Sequence, residues 1–324
     1  MSIGYSAYGI RLHADIPIPG LLSSSLADEI DVKVWLKSVP GWIEDKLTAQ
    51  RAIRYSSPCQ DEQEKPTLRV WEIAGGYFHL IYSDATEFIV NPMGTEIWAR
   101  WPDELTLEDT ATYLLGPVMG FVMILRGTIC LHASAIAFDD KAIAMLGPRS
   151  AGKSTTAAAF ARLGYSVLTD DVVALDDRGD SFLIQPGYPR LRLWPDSVDA
   201  LFGEGDALPL LTPNWDKRYL DLTGQEYKFQ QKSLPLAAVY ILGDRSDDPR
   251  APFVQAVSAN TGMMALVANT YATYLKDKAM RAQEFDLLNR ILNHVPLRHV
   301  TPNADTAYLS RLCEVILDDF QNRI

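Results

Sequence analysis

Gly147-Pro-Arg-Ser-Ala-Gly-Lys-Ser154 is a complete G-x-x-x-x-G-K-[ST] loop, and this octapeptide constrains the chain more than any other feature, because it functions only where a strand ends and a helix begins. Its four fixed positions coincide by chance in a chain of this length about once in a hundred sequences. The flanks supply the required context. Lys141-Ala-Ile-Ala-Met-Leu146 is a short apolar run suited to a buried strand, Thr155 to Leu163 is rich in helix formers, and Gly164 follows as a left-handed stop. Gly147 and Gly152 let the backbone turn tightly, so that the segment running through Pro148, Arg149, Ser150, Ala151 and on to Thr155 can wrap phosphate oxygens against a helix N-terminus. Arg149 is expected to contribute its backbone, with its side chain in water. Lys153 places a point charge against β- and γ-phosphates, and Ser154 offers a hydroxyl to magnesium, a hard ion that prefers oxygen.

A second apolar run, Tyr165 to Thr169, delivers Asp170-Asp171 at an expected strand end, where a magnesium-facing or base-acting carboxylate belongs in a phosphate-binding fold. Alternation along a strand sends successive side chains to opposite faces, so one of the two should address the phosphate. Asp171 is assigned as base and Asp170 as a magnesium or water-shell contact, with the two roles open to exchange. Upstream, Leu131 to Phe138 and Lys141 to Leu146 flank the turn pair Asp139-Asp140. A hairpin in that register sets Phe138 against Lys141 and, stepping back, His132 opposite Gly147.

Composition bounds the partners. The chain has 324 residues, 48% of them hydrophobic and 22% charged, enough for one large domain or two ordinary ones, and its formal net charge of −11 disfavours nucleic-acid backbones and anionic membranes. Cys59, Cys130 and Cys313 are odd in number and widely spaced, which fits buried thiols in a reducing cytoplasm. Met1 to Ser6 has neither a basic n-region nor an apolar h-region, so a signal peptide is not expected. The apolar stretch from Tyr113 to Leu125 is broken by Gly116, Pro117 and Gly120; it is too short for a membrane span and reads as a buried helix.

Residues 1–104 read as a β-rich region, with strands expected at 32–36, 68–73, 77–82 and 87–90. From Thr106, with Asp109 three residues on as a capping pair, a helix should run through to Arg126. Residues 105–324 alternate strands and helices, giving an α/β class with a mixed central sheet flanked by helices. Further elements are expected at 236–242 (central strand), 263–275 and 284–294 (helices), 295–300 (edge strand containing a proline) and 305–320 (final amphipathic helix).

His132, the loop ending in Lys153-Ser154 and the pair Asp170-Asp171 together resemble the catalytic core of the bacterial HPr kinase/phosphorylase family, over roughly residues 128–176. The resemblance implies a P-loop kinase core that uses ATP and Mg2+ in the cytoplasm, commonly as a homo-oligomer. It further implies Asp171 as the base for a target hydroxyl with His132 beside it, Lys153 on ATP phosphates and Ser154 on magnesium. The family's Leu-Glu-Val-Arg-Gly segment has its nearest counterpart in Leu191-Arg-Leu-Trp194, where Arg192 stands in place of a metal-binding glutamate. That substitution removes the ground for the reverse, phosphate-releasing activity; Asp196 is a weak substitute. Gly187 to Asp196 and Lys217 to Leu222 are similar to shorter HPr-kinase-like proteins, some of which modify ribosomally made peptides such as lasso precursors. The expected reaction is transfer of the γ-phosphoryl group to a serine-type hydroxyl of a protein or peptide. A nucleotide-binding sensor without transfer and a small-molecule kinase are the alternatives. Arg190 and Arg192 are candidate clamps for phosphate or a substrate carboxylate, Lys217 and Arg218 weaker ones, while Trp194, Trp215, His294 and His299 read as packing or surface residues. No base-reading motif separates ATP from GTP.

Overall fold

Alternation of apolar and polar residues makes the N-terminal third strand-rich. The computed structural model describes residues 2–25 and 29–323, and the chain divides into Met1–Thr128 with Ala272–Lys276, and Ile129–Tyr271 with Asp277–Ile324. The first unit carries a nine-stranded sheet in the order Ser23–Ser24, Ile3–Ala7, Ile10–Ala14, Val32–Trp35, Glu96–Arg100, Glu87–Val90, Tyr77–Tyr82, Leu68–Ile73, Arg51–Ser56. It is mixed, because Val32–Trp35 runs parallel to both of its neighbours.

The 107–125 helical stretch belongs to this first unit, so the division falls at 128/129 and not at the expected 104/105. Its contacts give the reason. Tyr113 stacks on Tyr82 with ring centroids 3.8 Å apart, Phe121 meets Phe78 edge-on at 4.9 Å, and Tyr8 donates its hydroxyl to the Leu115 carbonyl at 2.8 Å. Thr106 and Asp109 form the expected capping box. The single helix expected beyond it is instead Leu107–Tyr113, a π-turn at Leu114–Val118 and Met119–Leu125. Pro117 lies in that turn; lacking an N–H and crowding the preceding carbonyl, proline is accommodated by the wider ring of the π-turn.

In the second unit, Lys141–Leu146 lies between parallel Leu234–Leu242 and antiparallel Ala133–Phe138. Val167–Thr169 extends the sheet beyond Ala133–Phe138, and Leu297–Thr301 extends it beyond Leu234–Leu242. Leu297–Thr301 is an interior strand, not the expected edge, because Phe253–Ala256 pairs with its other side and Pro296 stays just outside it. Both faces of the sheet are covered, as its near-continuous apolar strands require. Ile143 and Met145 pack with Ala157, Phe160, Leu312 and Ile316, from helices Lys153–Arg162 and Leu309–Arg323. Ala142, Ala144 and Leu146 pack on the opposite face with Leu266, Leu288 and Ile291, from Ala259–Ala268 and Lys278–His294. The helix expected at 263–275 thus ends at Ala268, and a separate 3-10 turn at Thr273–Leu275 lies in the first unit. The final helix is preceded by a 3-10 turn at Thr306–Tyr308. A small sheet of Arg190–Leu193, Trp215–Asp221 and Leu210–Thr212 completes the unit. Among the described residues, no helix is long and apolar enough to cross a membrane. The class is mixed α/β.

Candidate functional site

The 147–154 loop joins Leu146, the end of its strand, to a helix that begins at Lys153. Ser150 and Gly152 adopt positive φ, 67° and 94°, so the backbone alternates its handedness in the manner that turns N–H groups toward one concavity. Gly147 is required for a different reason. A methyl group at that position would stand 2.8 Å from the Leu242 carbonyl oxygen and 2.9 Å from the Ala151 Cβ. Gly147→Ala is therefore expected to lower the unfolding free energy by about 1–3 kcal/mol, read as a lower urea midpoint at unchanged slope; an unshifted midpoint would show that the strand and loop have room to part. At its far end the helix closes with Gly164 at φ 92°, its N–H donating to the Ala161 carbonyl and that of Tyr165 to Phe160, which is the Schellman stop that a glycine there permits.

Lys153 folds back on the loop. Its Nζ donates to the Gly147 carbonyl at 2.8 Å and to the Pro148 carbonyl at 3.0 Å, and its side chain is buried. Burial pushes the ammonium pKa down, and the nearby Asp170 and Asp171 carboxylates only partly offset that.

The Asp170-Asp171 pair lies beyond the last strand residue, Thr169, and this changes its geometry. The expected alternation to opposite faces does not apply, because Asp171 takes φ 68° and the Val172 N–H donates to the Asp170 carbonyl at 2.8 Å. Both carboxylates act on Lys153 and on Lys217. Asp170 is buried, and its Oδ1 accepts from the Ser154 hydroxyl at 2.9 Å and the Ser134 hydroxyl at 2.6 Å, while the Arg192 N–H approaches Oδ2 at 3.3 Å. Asp171 faces His132, whose Nδ1 lies 3.0 Å from the Asp171 carbonyl oxygen and 3.2 Å from Oδ1. Both neighbours accept, so Nδ1 carries the hydrogen. Burial pushes the Asp171 carboxyl up, but the His132 hydrogen bond and charge, followed by Arg192 and Lys217, outweigh it and hold the group well below the usual carboxylate range.

His132 reaches this position through a break in the chain. The hairpin register runs from Phe138 against Lys141 to Ala133 against Leu146 and stops there, one step short of His132 and Gly147. The expected strand at 131–138 is in fact two: Ile129–Leu131 pairs with Val173–Asp177, and between the strands the His132 N–H donates to the Asn269 carbonyl at 2.7 Å. The imidazole, freed from strand alternation, turns to Asp171.

No family model matches this chain, and no curated protein matches it. Among solved structures it is similar to the HPr(Ser) kinase/phosphatase from Coxiella burnetii, at 12% identity and a TM-score of 0.31, over 58% of this chain and 94% of that one. At that TM-score the similarity carries no weight, and the meaning of the site rests on its own geometry.

The two arginines expected as clamps part company. Arg192 stands close enough to depress Asp171, and its guanidinium lies 5.4 Å over the Tyr188 ring. Arg190 instead stacks on Tyr219 at 4.2 Å. Asp196 is exposed in the first turn of Pro195–Phe202. Lys217, weighed lightly from the sequence, is brought in by pairing of its strand with Arg190–Leu193, and its ammonium sits 4.9 Å over the Trp194 ring. Burial pushes the Lys217 pKa down, with Arg192 and Arg149 adding to the fall and Asp171 opposing it. Tyr188 is pushed up to about 12, chiefly by burial. Thr155 and Ser197 share a hydrogen bond of 2.8 Å at the helix start. Ser134, Tyr188 and Ser197 were missed. Only Ser134 carried a sequence signal, a lone hydroxyl within Ala133-Ser-Ala-Ile-Ala137.

Among the described residues, no group of three or more His, Cys, Asp or Glu side chains could hold a metal ion by itself. The Ser154 hydroxyl and the Asp170 carboxylate nevertheless form a hard oxygen pair, which suits a magnesium ion that keeps waters and shares phosphate oxygens.

Proposed function

We propose that this protein is an ATP- and magnesium-dependent phosphotransferase that moves the γ-phosphoryl group to a serine-type hydroxyl of a protein or peptide, through a P-loop at residues 147–154. The observation that carries the proposal is the convergence of two differently partnered carboxylates beside one loop: Asp170 on the Ser154 hydroxyl and Asp171 on His132. One carboxylate beside a helix N-terminus fits phosphate binding alone, whereas a second, held by a histidine, supplies what transfer needs. The loop amides from Gly147 to Thr155 and the Lys153 ammonium hold the β- and γ-phosphates. Ser154 and Asp170 would hold magnesium, which when bound would neutralise phosphate charge. Asp171 accepts the proton of the attacking hydroxyl as its oxygen bonds to the γ-phosphorus and the bond to the bridging oxygen breaks, leaving ADP and the phosphate ester. A weakly basic carboxylate is sufficient, because the bond to the leaving group breaks largely before the nucleophile bonds, and positioning supplies most of the rate. His132 keeps Asp171 in place, and Arg192 and Lys217 face the charge that spreads over the transferred group.

The deciding assay offers labelled ATP to peptides, HPr-like proteins and metabolites. A phosphorylated serine supports transfer, whereas ATP binding without product from any acceptor would favour a sensor. A phosphorylated metabolite would place the same core in a small-molecule kinase. The pH profile tests the base. A carboxylate whose folded pKa is depressed stays ionised as pH falls from neutrality and protonates only below the ordinary aspartate value, so kcat should show no acid limb above about pH 5. A limb centred near about 6.5, the unperturbed histidine value, would transfer the role to His132.

A further inference from the structure

We propose that the nucleoside end of the nucleotide lies in the cleft beside the loop, bounded by Gly152 and Thr156 on one wall and by Arg245, Pro302 and Tyr308 on the other; this rests on the phosphate-site reading above. Three loops that follow parallel strands line this cleft: the 147–154 loop after Lys141–Leu146, Arg245 after Leu234–Leu242, and Pro302 with Asn303 after Leu297–Thr301. Carboxyl ends of parallel strands form the ligand crevice of open α/β sheets.

Direction follows from the strand order. Asp170 and Asp171 follow Val167–Thr169, on the Ala133–Phe138 side of the loop strand, while the cleft opens on the Leu234–Leu242 side. A phosphate chain on the loop with its γ end at the carboxylates therefore points its other end into the cleft. The lining suits a flat base and a sugar phosphate. Tyr308 is 45% exposed, and its ring and hydroxyl have no partner among the described residues. Leu309 gives a partly exposed apolar edge, backed by the buried Pro302 and Leu312. Arg245 forms no hydrogen bond or ion pair among the described residues, and its Nη2 lies 3.8 Å from where a Gly152 Cβ would be, next to the loop amides. The base stacks on Tyr308, and Arg245 meets the phosphate nearest the sugar. The walls are fixed: Thr156 donates to the Gly152 carbonyl at 2.9 Å and Asn303 to the Ala251 carbonyl at 2.9 Å.

The test measures calorimetric binding of a non-hydrolysable ATP analogue and of inorganic tripolyphosphate, each with magnesium, to the full chain. Tyr308→Ala should weaken the analogue about tenfold, the loss of one base–aromatic stack, and Thr306→Trp on the exposed rim should weaken it by filling the cleft with bulk, both leaving tripolyphosphate within about twofold. Tyr308→Phe should bind both ligands like the wild type. Retained tripolyphosphate binding also shows that the variants fold. Unchanged analogue affinity in both Tyr308→Ala and Thr306→Trp, or equal weakening of the two ligands, overturns the nucleoside site. Failure of the wild-type chain to bind tripolyphosphate and the analogue alike overturns the phosphate reading itself, and the cleft assignment with it.

Discussion

Asp171→Asn is expected to lower the phosphoryl-transfer rate about 10²–10⁴-fold while leaving nucleotide affinity nearly unchanged, because an amide keeps the shape of the carboxylate but takes no proton. The substitution is nearly isosteric, which matters at a residue held at φ 68°. It also leaves an acceptor oxygen for the His132 N–H, so the imidazole keeps its orientation. Single-turnover kinetics with saturating ATP separates this from a binding defect. A rate within about threefold of wild type would remove Asp171 from the chemistry and leave Asp170 or His132 as the proton acceptor. An equal loss in nucleotide affinity would instead mean that the carboxylate serves the structure of the loop.

Lys153→Ala should act on both steps. Losing a charge-assisted contact to the phosphates is expected to weaken nucleotide binding by about 1.5–3 kcal/mol, roughly ten- to a hundredfold. A further fall in transfer rate, about 10²–10³-fold, reflects the lost charge on the transferring group. Stability should fall as well, because the buried Gly147 carbonyl loses its donor and the buried Asp170 carboxylate loses a nearby cation. The Pro148 carbonyl also loses a donor, but Pro148 is exposed enough for water to replace it. Titration calorimetry and thermal unfolding with and without nucleotide check both parts. Unaltered nucleotide affinity would mean that the loop amides alone carry the phosphates.

Much of the loop's setting was legible because its signals are local. An apolar strand, two glycines, a helix-forming run and a closing Gly164 each act within a few residues, and the two-residue turn at Asp139-Asp140 alone fixed the hairpin register. Strands at 68–73, 77–82 and 87–90 were legible from their own periodicity. Ile3–Ala7 and Ile10–Ala14 were not, since each alternates over only five residues and includes weak strand formers such as Gly4, Ala7 and Ala14, so that cross-strand pairing stabilises them. The break at His132 was illegible for the same reason: a distant carbonyl, Asn269, takes its N–H. Lys217 and Tyr188 reach the site through burial and the pairing of a small separate sheet, which no sequence window spans. The π-turn at Pro117 shows the converse, a signal that was visible but whose geometric answer depended on the surrounding core.

The two carbonyl bonds of the Lys153 ammonium tie the start of its helix to Gly147 and Pro148, so the side chain to which the proposal gives the phosphates also fastens the loop to its strand. Under the proposed function, nucleotide binding would be an exchange of partners, with two carbonyl bonds surrendered as phosphate bonds form. The heat of binding would then report a difference between two bonded states, so a modest enthalpy is compatible with a strong final contact.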